Sequence, residues 1–460
     1  MITNPLKEVS SFISSCQAEG NVKLSKRQFF FVSFCISCIV LLGEFNFSAF
    51  SRLSFSNVSS ASLSWMIHHS SIGWKNLIDG AIIYLFRIYD ITNIHLLIDD
   101  SDRPRCKVIK AIYGVFKTID KKTGGYFLAQ NIVFIAVVCN KVTFPIGFKF
   151  YRPDPEVKKW EKEDKKLRRK GIKKKNRPSR PSRNKEFPTR IEIAVELAKN
   201  TKKIITKLEK SLNIKVKVLS ISADSAYLSK EFTKGVKKQF KKTQIISQLA
   251  SNQIIWNKNQ VEKSVKSYFE HKKPTRKEIN LRGKAIYVEY ISARVFVKSH
   301  GKKLLIVAMK YKGEENYRYL AATELTWQTV DVIKAYALRW LIEVVIEDWK
   351  QYDGWGKKAS QQGVDGACRG VQLSLLTDFF LLSHEYQHNL YLAGQSLATT
   401  GSLIRRIRQE HFVDTIQGIL ERPNPQSMLK KLVSKFDDIF KLDPSCKHMM
   451  GIEIGEFGSS

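Results

Sequence analysis

At 460 residues the chain is long enough to bury a sizeable core and to hold two or three domains. Its 77 lysines and arginines against 43 aspartates and glutamates give a formal net charge of +34, an excess that calls for a polyanionic partner, because neutralising phosphates releases counterions and drives binding without regard to sequence. The seven cysteines are scattered, with only Cys35 and Cys38 close together and no second CxxC to complete a zinc site, so a reducing cytoplasm is expected and a disulfide framework is not.

Residues 1 to about 85 read as helical. The most apolar window, Phe29 to Leu42, contains Ser33 and Ser37 and has the length of a core helix, too short to span a bilayer. It begins late for a signal peptide and no small-residue cleavage site clearly follows. After a Ser-rich break, the segment around Leu63, Trp65, Met66 and Ile67 fits a short helix-turn-helix or a plain helical cap.

From Ile94 the pattern turns to strands. The run NIHLLIDD is apolar and ends in acid, as expected of a buried strand whose C-terminal end opens into a site. Asp99, Asp100 and Asp102 crowd there; burying isolated carboxylates costs several kcal/mol each, so they are solvated in an acidic turn, paired or metal-bound. In an extended strand neighbouring side chains point to opposite faces, so Asp99 and Asp100 cannot both address one site without a bulge. Two further strands are predicted, Asn131 to Cys139 and Lys141 to Phe150, with a turn near Asn140. Between Arg152 and Arg190 there are 17 Lys/Arg against 6 Asp/Glu and five prolines. Such a stretch buries little apolar surface, so it is a mobile loop or a charged helix followed by an extended arm, and either a DNA-gripping insertion or a solvated linker.

Ile191 to Leu212 then reads as an amphipathic helix and Val216 to Ala223 as a strand ending in Asp224, in the phrase SADSAY. Residues from about 253 to 325 alternate in the β manner: Ala285 to Ile291, Arg294 to Val297, a turn at His300-Gly301-Lys302, and Leu304 to Met309. Tyr317, Tyr319 and Trp256 in this stretch are candidates for stacking on an extruded base, worth about 1–3 kcal/mol where it occurs, or for core packing. Tyr336 to Lys350, YALRWLIEVVIEDWK, is predicted as one helix with a buried stripe of Leu338, Leu341, Ile342, Val345 and Trp349. At about 100° per residue, Tyr336, Arg339, Glu343 and Lys350 fall within an arc of roughly 60° on the opposite side. Glu347 shares that face one turn from Glu343, and like charges at this spacing repel by a few tenths of a kcal/mol, which a bound cation relieves. A Gly-broken loop, GWGKKASQQG, follows, then an apolar helix from Val371 to His384 and, from about residue 402, a basic helix-prone tail with Arg405, Arg406 and Arg408.

The spacing Tyr-x2-Arg-x3-Glu-x6-Lys resembles the signature of a large group of insertion-sequence DDE transposases, which cut and rejoin DNA through two Asp and one Glu. The resemblance implies an α/β fold: an RNase H-like catalytic core with a β-rich insertion, flanked by helical N- and C-terminal regions. It assigns the catalytic and metal-binding carboxylates to Asp99, Asp224 and Glu343, and DNA contact to Tyr336, Arg339 and Lys350. The family's catalytic Asp commonly stands two residues before a Ser or Thr, which in Asp99-Asp100-Ser101 selects Asp99. The cofactor implied is Mg²⁺, with Mn²⁺ able to substitute; two such ions about 3.5–4 Å apart serve phosphodiester cleavage, and hard oxygen ligands suit them.

The implied partners are DNA, as terminal inverted repeats and target, and a second copy of the chain on DNA; no membrane is implied, and the setting is a prokaryotic, nucleoid-associated cytoplasm. The expected divisions are a DNA-binding region over 1–85, a catalytic domain over 86–375 with a basic insertion at 152–190 and a β-rich insertion at 253–325, and a helical region over 376–460. The alternatives are a decayed transposase that only binds DNA, and an RNase H-like nuclease that cuts without joining.

Overall fold

The computed structural model describes residues 4–439 apart from 56–57, 106–110, 121–122, 140–141, 257–259, 282 and 357–360. The expected turn at Asn140, part of the loop after the signature helix and the tail beyond residue 439 lie outside the described residues. The chain opens with helices α1 (Lys7–Gly20), α2 (Lys26–Leu42), α3 (Phe47–Leu53), α4 (Ser60–His69) and α5 (Trp74–Ile88). Ser25 and Gln28 form a reciprocal capping box at the start of α2, and Gly43, at φ 71°, closes it in the left-handed region. Phe31 to Val40 of this helix are all buried. Among the described residues no single helix is long and apolar enough to cross a membrane.

Strands β1 (Asn93–Arg105), β2 (Val115–Ile119), β3 (Tyr126–Val138) and β4 (Thr143–Tyr151) follow, then α6 (Pro155–Arg169), α7 (Arg190–Leu212), β5 (Lys217–Ala223), α8 (Lys230–Gln239) and β6 (Gln244–Leu249). Next come β7 (Ile254–Trp256), β8 (Glu262–Ser264), α9 (Val265–Phe269), β9 (Thr275–Leu281), β10 (Lys284–Val297), β11 (Lys302–Tyr311) and β12 (Arg318–Ala322). The chain continues through α10 (Thr329–Ala337), α11 (Trp340–Tyr352), α12 (Gly363–Ser383), α13 (Glu385–Leu392), α14 (Thr400–Leu420) and α15 (Pro425–Ile439).

The fold is mixed α/β. All the strands join one 12-stranded sheet in the order β2-β3-β1-β5-β6-β12-β11-β10-β7-β8, with β4 also beside β3 and β9 also beside β10. β1, β5 and β6 are parallel neighbours, and β3 runs antiparallel along β1 from His95 to Arg105. That partner carries β1 past the acidic end expected from its sequence, while the ladder to β5 stops at Ile98 opposite Ala223. The β-rich stretch is an extension of the central sheet, joined edge to edge where β12 pairs with β6.

Three buried clusters result. The largest runs from Leu6 to Ile407 and holds the N-terminal helices, the central sheet, α7, α11, α12 and α14 together. The expected boundary between residues 375 and 376 falls inside α12, which continues to Ser383. A second cluster packs α10 on one face of the β-rich extension through Val332 and Ile333. A third packs α9 on the other face through Val265 and Phe269.

The stretch expected as one helix is two. α10 faces the β-rich extension and α11 faces the central sheet, so the helix changes partner at Leu338-Arg339. There it tightens into i→i+3 bonds, Arg339 N–H to Tyr336 O at 2.9 Å and Leu341 N–H to Leu338 O at 2.9 Å. The break also turns the buried stripe of α11, which is Ile342, Ile346 and Trp349; Leu341 and Val345, expected inside, are half-buried.

Candidate active site

Since Ile98 and Ala223 are the last paired residues of two parallel strands, the residues after them, Asp99 and Asp224, stand side by side at the same end of the sheet. Asp224 also begins a 3-10 turn over Ser225–Tyr227, accepting the Ser225 N–H at 2.7 Å. Its carbonyl takes the Ser247 hydroxyl from β6 at 2.9 Å. Asp99 accepts the N–H of Asp100 on Oδ1 at 2.9 Å and Arg339 Nη1 on Oδ2 at 2.9 Å. Burial pushes its pKa up to about 6; the Asp100 N–H and Arg339 oppose that, and the carboxylates of Asp100 and Asp224 reinforce it.

The helical break supplies the other groups. Arg339, at the seam, reaches Asp99 with one nitrogen and Glu343 with the other, and Tyr336 hydrogen-bonds to the same guanidinium. Glu343 is one turn into α11 and half exposed, whereas Asp99 and Arg339 keep only 16% and 21% of their side chains exposed. Trp349 anchors α11 over the β1–β3 pair, packing edge-on against Phe134 of β3 at 5.0 Å and stacking on Trp355 at 4.4 Å. Lys350 consequently points at the strand, its Nζ donating to Ser101 Oγ at 2.6 Å and to the Asp102 carbonyl at 2.7 Å. The structure thus gathers Asp99, Arg339, Glu343 and Tyr336, sets Asp224 beside Asp99, and places Lys350 further along β1.

Asp100 faces the other way. It accepts the Tyr227 hydroxyl at 3.0 Å and the Asn131 amide at 2.8 Å, and pairs with Arg190 at 3.2 Å. Arg190 also lies over the Tyr151 ring at 4.5 Å, so the two roots of the basic 152–190 segment are clamped together beside β1. That segment is a charged helix, α6, and an arm that folds back on it: Trp160 donates to the Pro178 carbonyl at 2.8 Å, and Arg177 pairs with Asp164 at 2.6 Å. Its lysines and arginines are exposed except Arg152, Lys158, Arg177 and Arg190, which are half-buried. Asn131 and Arg190 carry no local signal, because what gives them a role is the approach of β3 and α7 to β1.

The donor set of Asp99, Asp224 and Glu343 is all carboxylate oxygen, the chemistry a hard divalent ion takes. The arrangement as folded does not fit such an ion. Among the described residues no three His, Cys, Asp or Glu side chains converge closely enough to hold a metal, and the Arg339 guanidinium spans Asp99 and Glu343.

No protein-family model matches the chain, and no curated protein matches it. Among solved structures it is similar to a piggyBac transposase, seen by cryo-EM in a synaptic complex with hairpin DNA, at 12% identity over 97% of this chain and 86% of that one, with a TM-score of 0.39. It is also similar to the NurA nuclease from Sulfolobus solfataricus, at 9% identity over 58% of this chain and 83% of that one, with a TM-score of 0.19. At these scores neither likeness bears on the fold or the chemistry, which rest on the geometry above.

Proposed function

We propose that the chain is a DNA transposase of the DDE type, with an RNase H-like core, that cleaves phosphodiester bonds at the ends of an insertion sequence and joins them to target DNA. The observation that carries this reading is the meeting of Asp99 and Asp224 at adjacent parallel strand ends with Glu343, the signature glutamate, tied to Asp99 through Arg339. The order strand, hairpin, then helix at the start of the sheet supports the RNase H-like assignment. The reading calls for Mg²⁺, with Mn²⁺ able to substitute, an ion that the three carboxylates as folded do not fit.

The chain's own residues do the rest. Tyr336, Arg339 and Lys350 meet backbone phosphates beside the acids, and the exposed cations of the 152–190 segment hold the duplex without reading its sequence. Terminal inverted repeats and target DNA are the partners, and two copies act together because two ends must be joined. The setting is the nucleoid of a prokaryotic cytoplasm. Incubation with paired element ends, target DNA and Mg²⁺ tests the reading: joined products support it, cut but unjoined ends make the chain a nuclease, and binding without cutting makes it a DNA-binding protein alone.

A further inference from the structure

Side chains alternate along β1, so Asp99, Ser101, Arg103 and Arg105 share one face. Asp99 and Ser101 meet Arg339 and Lys350 there. The Arg103 guanidinium lies over the ring of Trp355, just past the end of α11, at 4.8 Å. Arg103 keeps 4% of its surface exposed, and its Nε and Nη1 are sealed from solvent with no hydrogen-bond partner among the described residues. Arginine is almost never buried so completely unless paired. The contact with one aromatic ring returns only part of what an uncompensated buried charge costs. Burial first, then the Arg105 charge beside it, pull the Arg103 pKa down to about 8. The neighbours are cations too: Lys350 donates to neutral oxygens, Ser101 Oγ and the Asp102 carbonyl, and Arg105 holds the Gln130 amide oxygen at 2.8 Å.

We propose that Arg103, flanked by Lys350 and Arg105, is the seat of a backbone phosphate of bound DNA, and that Trp355 is only its resting partner. The inference rests on reading the chain as a DNA-binding protein, and adds to that reading a phosphate contact separate from Tyr336 and Arg339. A guanidinium fork takes two oxygens of one phosphate, and the flexible arginine stem lets it leave the ring for a phosphate arriving beside Lys350 and Arg105. At about 3.3 Å per residue, Arg103 stands about 13 Å along β1 from Asp99. That is roughly four phosphates of one strand, spaced about 3.4 Å along the duplex axis. A strand lying at Asp99 is then gripped a second time a few nucleotides away, which fixes its register over the acids.

The test is fluorescence anisotropy of a labelled duplex titrated with the full chain over a range of KCl, beside thermal melts without DNA. Arg103→Met puts an apolar chain where the guanidinium was. Without DNA it should melt at or above the wild-type temperature, because an uncompensated buried charge is gone. It should bind a duplex of any sequence about 10-fold more weakly, near the lower end for a hydrogen bond to a charged group. Its log–log salt slope should be shallower by about 0.9. Arg103→Lys, which keeps the charge and loses the fork, should keep the slope and bind with intermediate affinity. An Arg103→Met chain that melts well below wild type or fails to fold would make the guanidinium a structural group, and an unchanged slope would mean that it meets no phosphate; either result overturns the proposal. Strand cleavage is not the readout. A chain that behaves as expected and cuts nothing sinks the transposase reading and leaves this inference standing, whereas joined products from a chain whose salt slope ignores Arg103 do the reverse.

Discussion

The carboxylates of Asp99 and Asp100, neighbours in sequence, take different partners. Asp99 turns toward Arg339 and the strand end of Asp224, while both oxygens of Asp100 are taken by Tyr227, Asn131 and Arg190. Asp99→Asn should therefore eliminate Mg²⁺-dependent cleavage, and Asp100→Asn should retain a measurable fraction of it; the reverse pattern would move the first ligand to Asp100. The alternation of a strand made this division legible in the sequence, but the partners of Asp100 were not, since they arrive from β3, α7 and the turn after β5. A second residue-scale expectation concerns two acids away from the site. Asp353 has neither carboxylate oxygen hydrogen-bonded and Asp378 lacks a partner on one. Burial first, then the charges of Asp378 and Asp348, push Asp353 well above the usual carboxyl range; burial and Asp348 push Asp378 up to about 8. Unfolded carboxyls titrate near ~3.9, so the native state holds the extra proton between there and about pH 8. Its contribution to stability is full below ~3.9, falls by up to about 1.4 kcal/mol per pH unit and is gone above about pH 8. Thermal melts should therefore drop more steeply from about pH 5 to about pH 8 in wild type than in Asp378→Asn; parallel curves would contradict this.

At the scale of elements, the helix carrying the signature and the strand ending at Ala223 could be read from periodicity, because each answers to its own apolar face. The seam at Leu338-Arg339 could not, because it arises from two sheets that the helix touches in succession. The long reach of β1 was hidden for a similar reason: Asp99 to Arg105 stay extended through pairing with β3, despite their polarity. The basic segment came out as the charged helix and extended arm that its composition allowed, with its roots clamped by Arg190 over Tyr151. Affinity for duplex DNA should fall steeply with salt, each neutralised phosphate contributing about −0.9 to the log–log slope, and removing Lys158 to Arg183 should flatten it. An unchanged slope after that deletion would reduce the segment to a linker.

Across the whole molecule, the central and β-rich strands form one continuous sheet, and the N-terminal helices share its main core. Sequence composition located the β-rich stretch and could not show that it extends the central sheet through β6 and β12, since edge-to-edge pairing depends on backbone and not on side-chain pattern. On the proposed reading two element ends are cut and joined together, which calls for two chains: sedimentation of the DNA-bound species should give a dimer, and full activity from a species that stays monomeric on DNA would contradict this. On the proposed reading binding and chemistry are separate, with the basic surface holding phosphate and the carboxylates performing the cut. The direct measurement is cleavage and binding of the same duplex by Asp224→Asn and Glu343→Gln in Mg²⁺. Both variants should bind it nearly as wild type does and yield no cut strand; appreciable Mg²⁺-dependent cleavage by either would contradict the account.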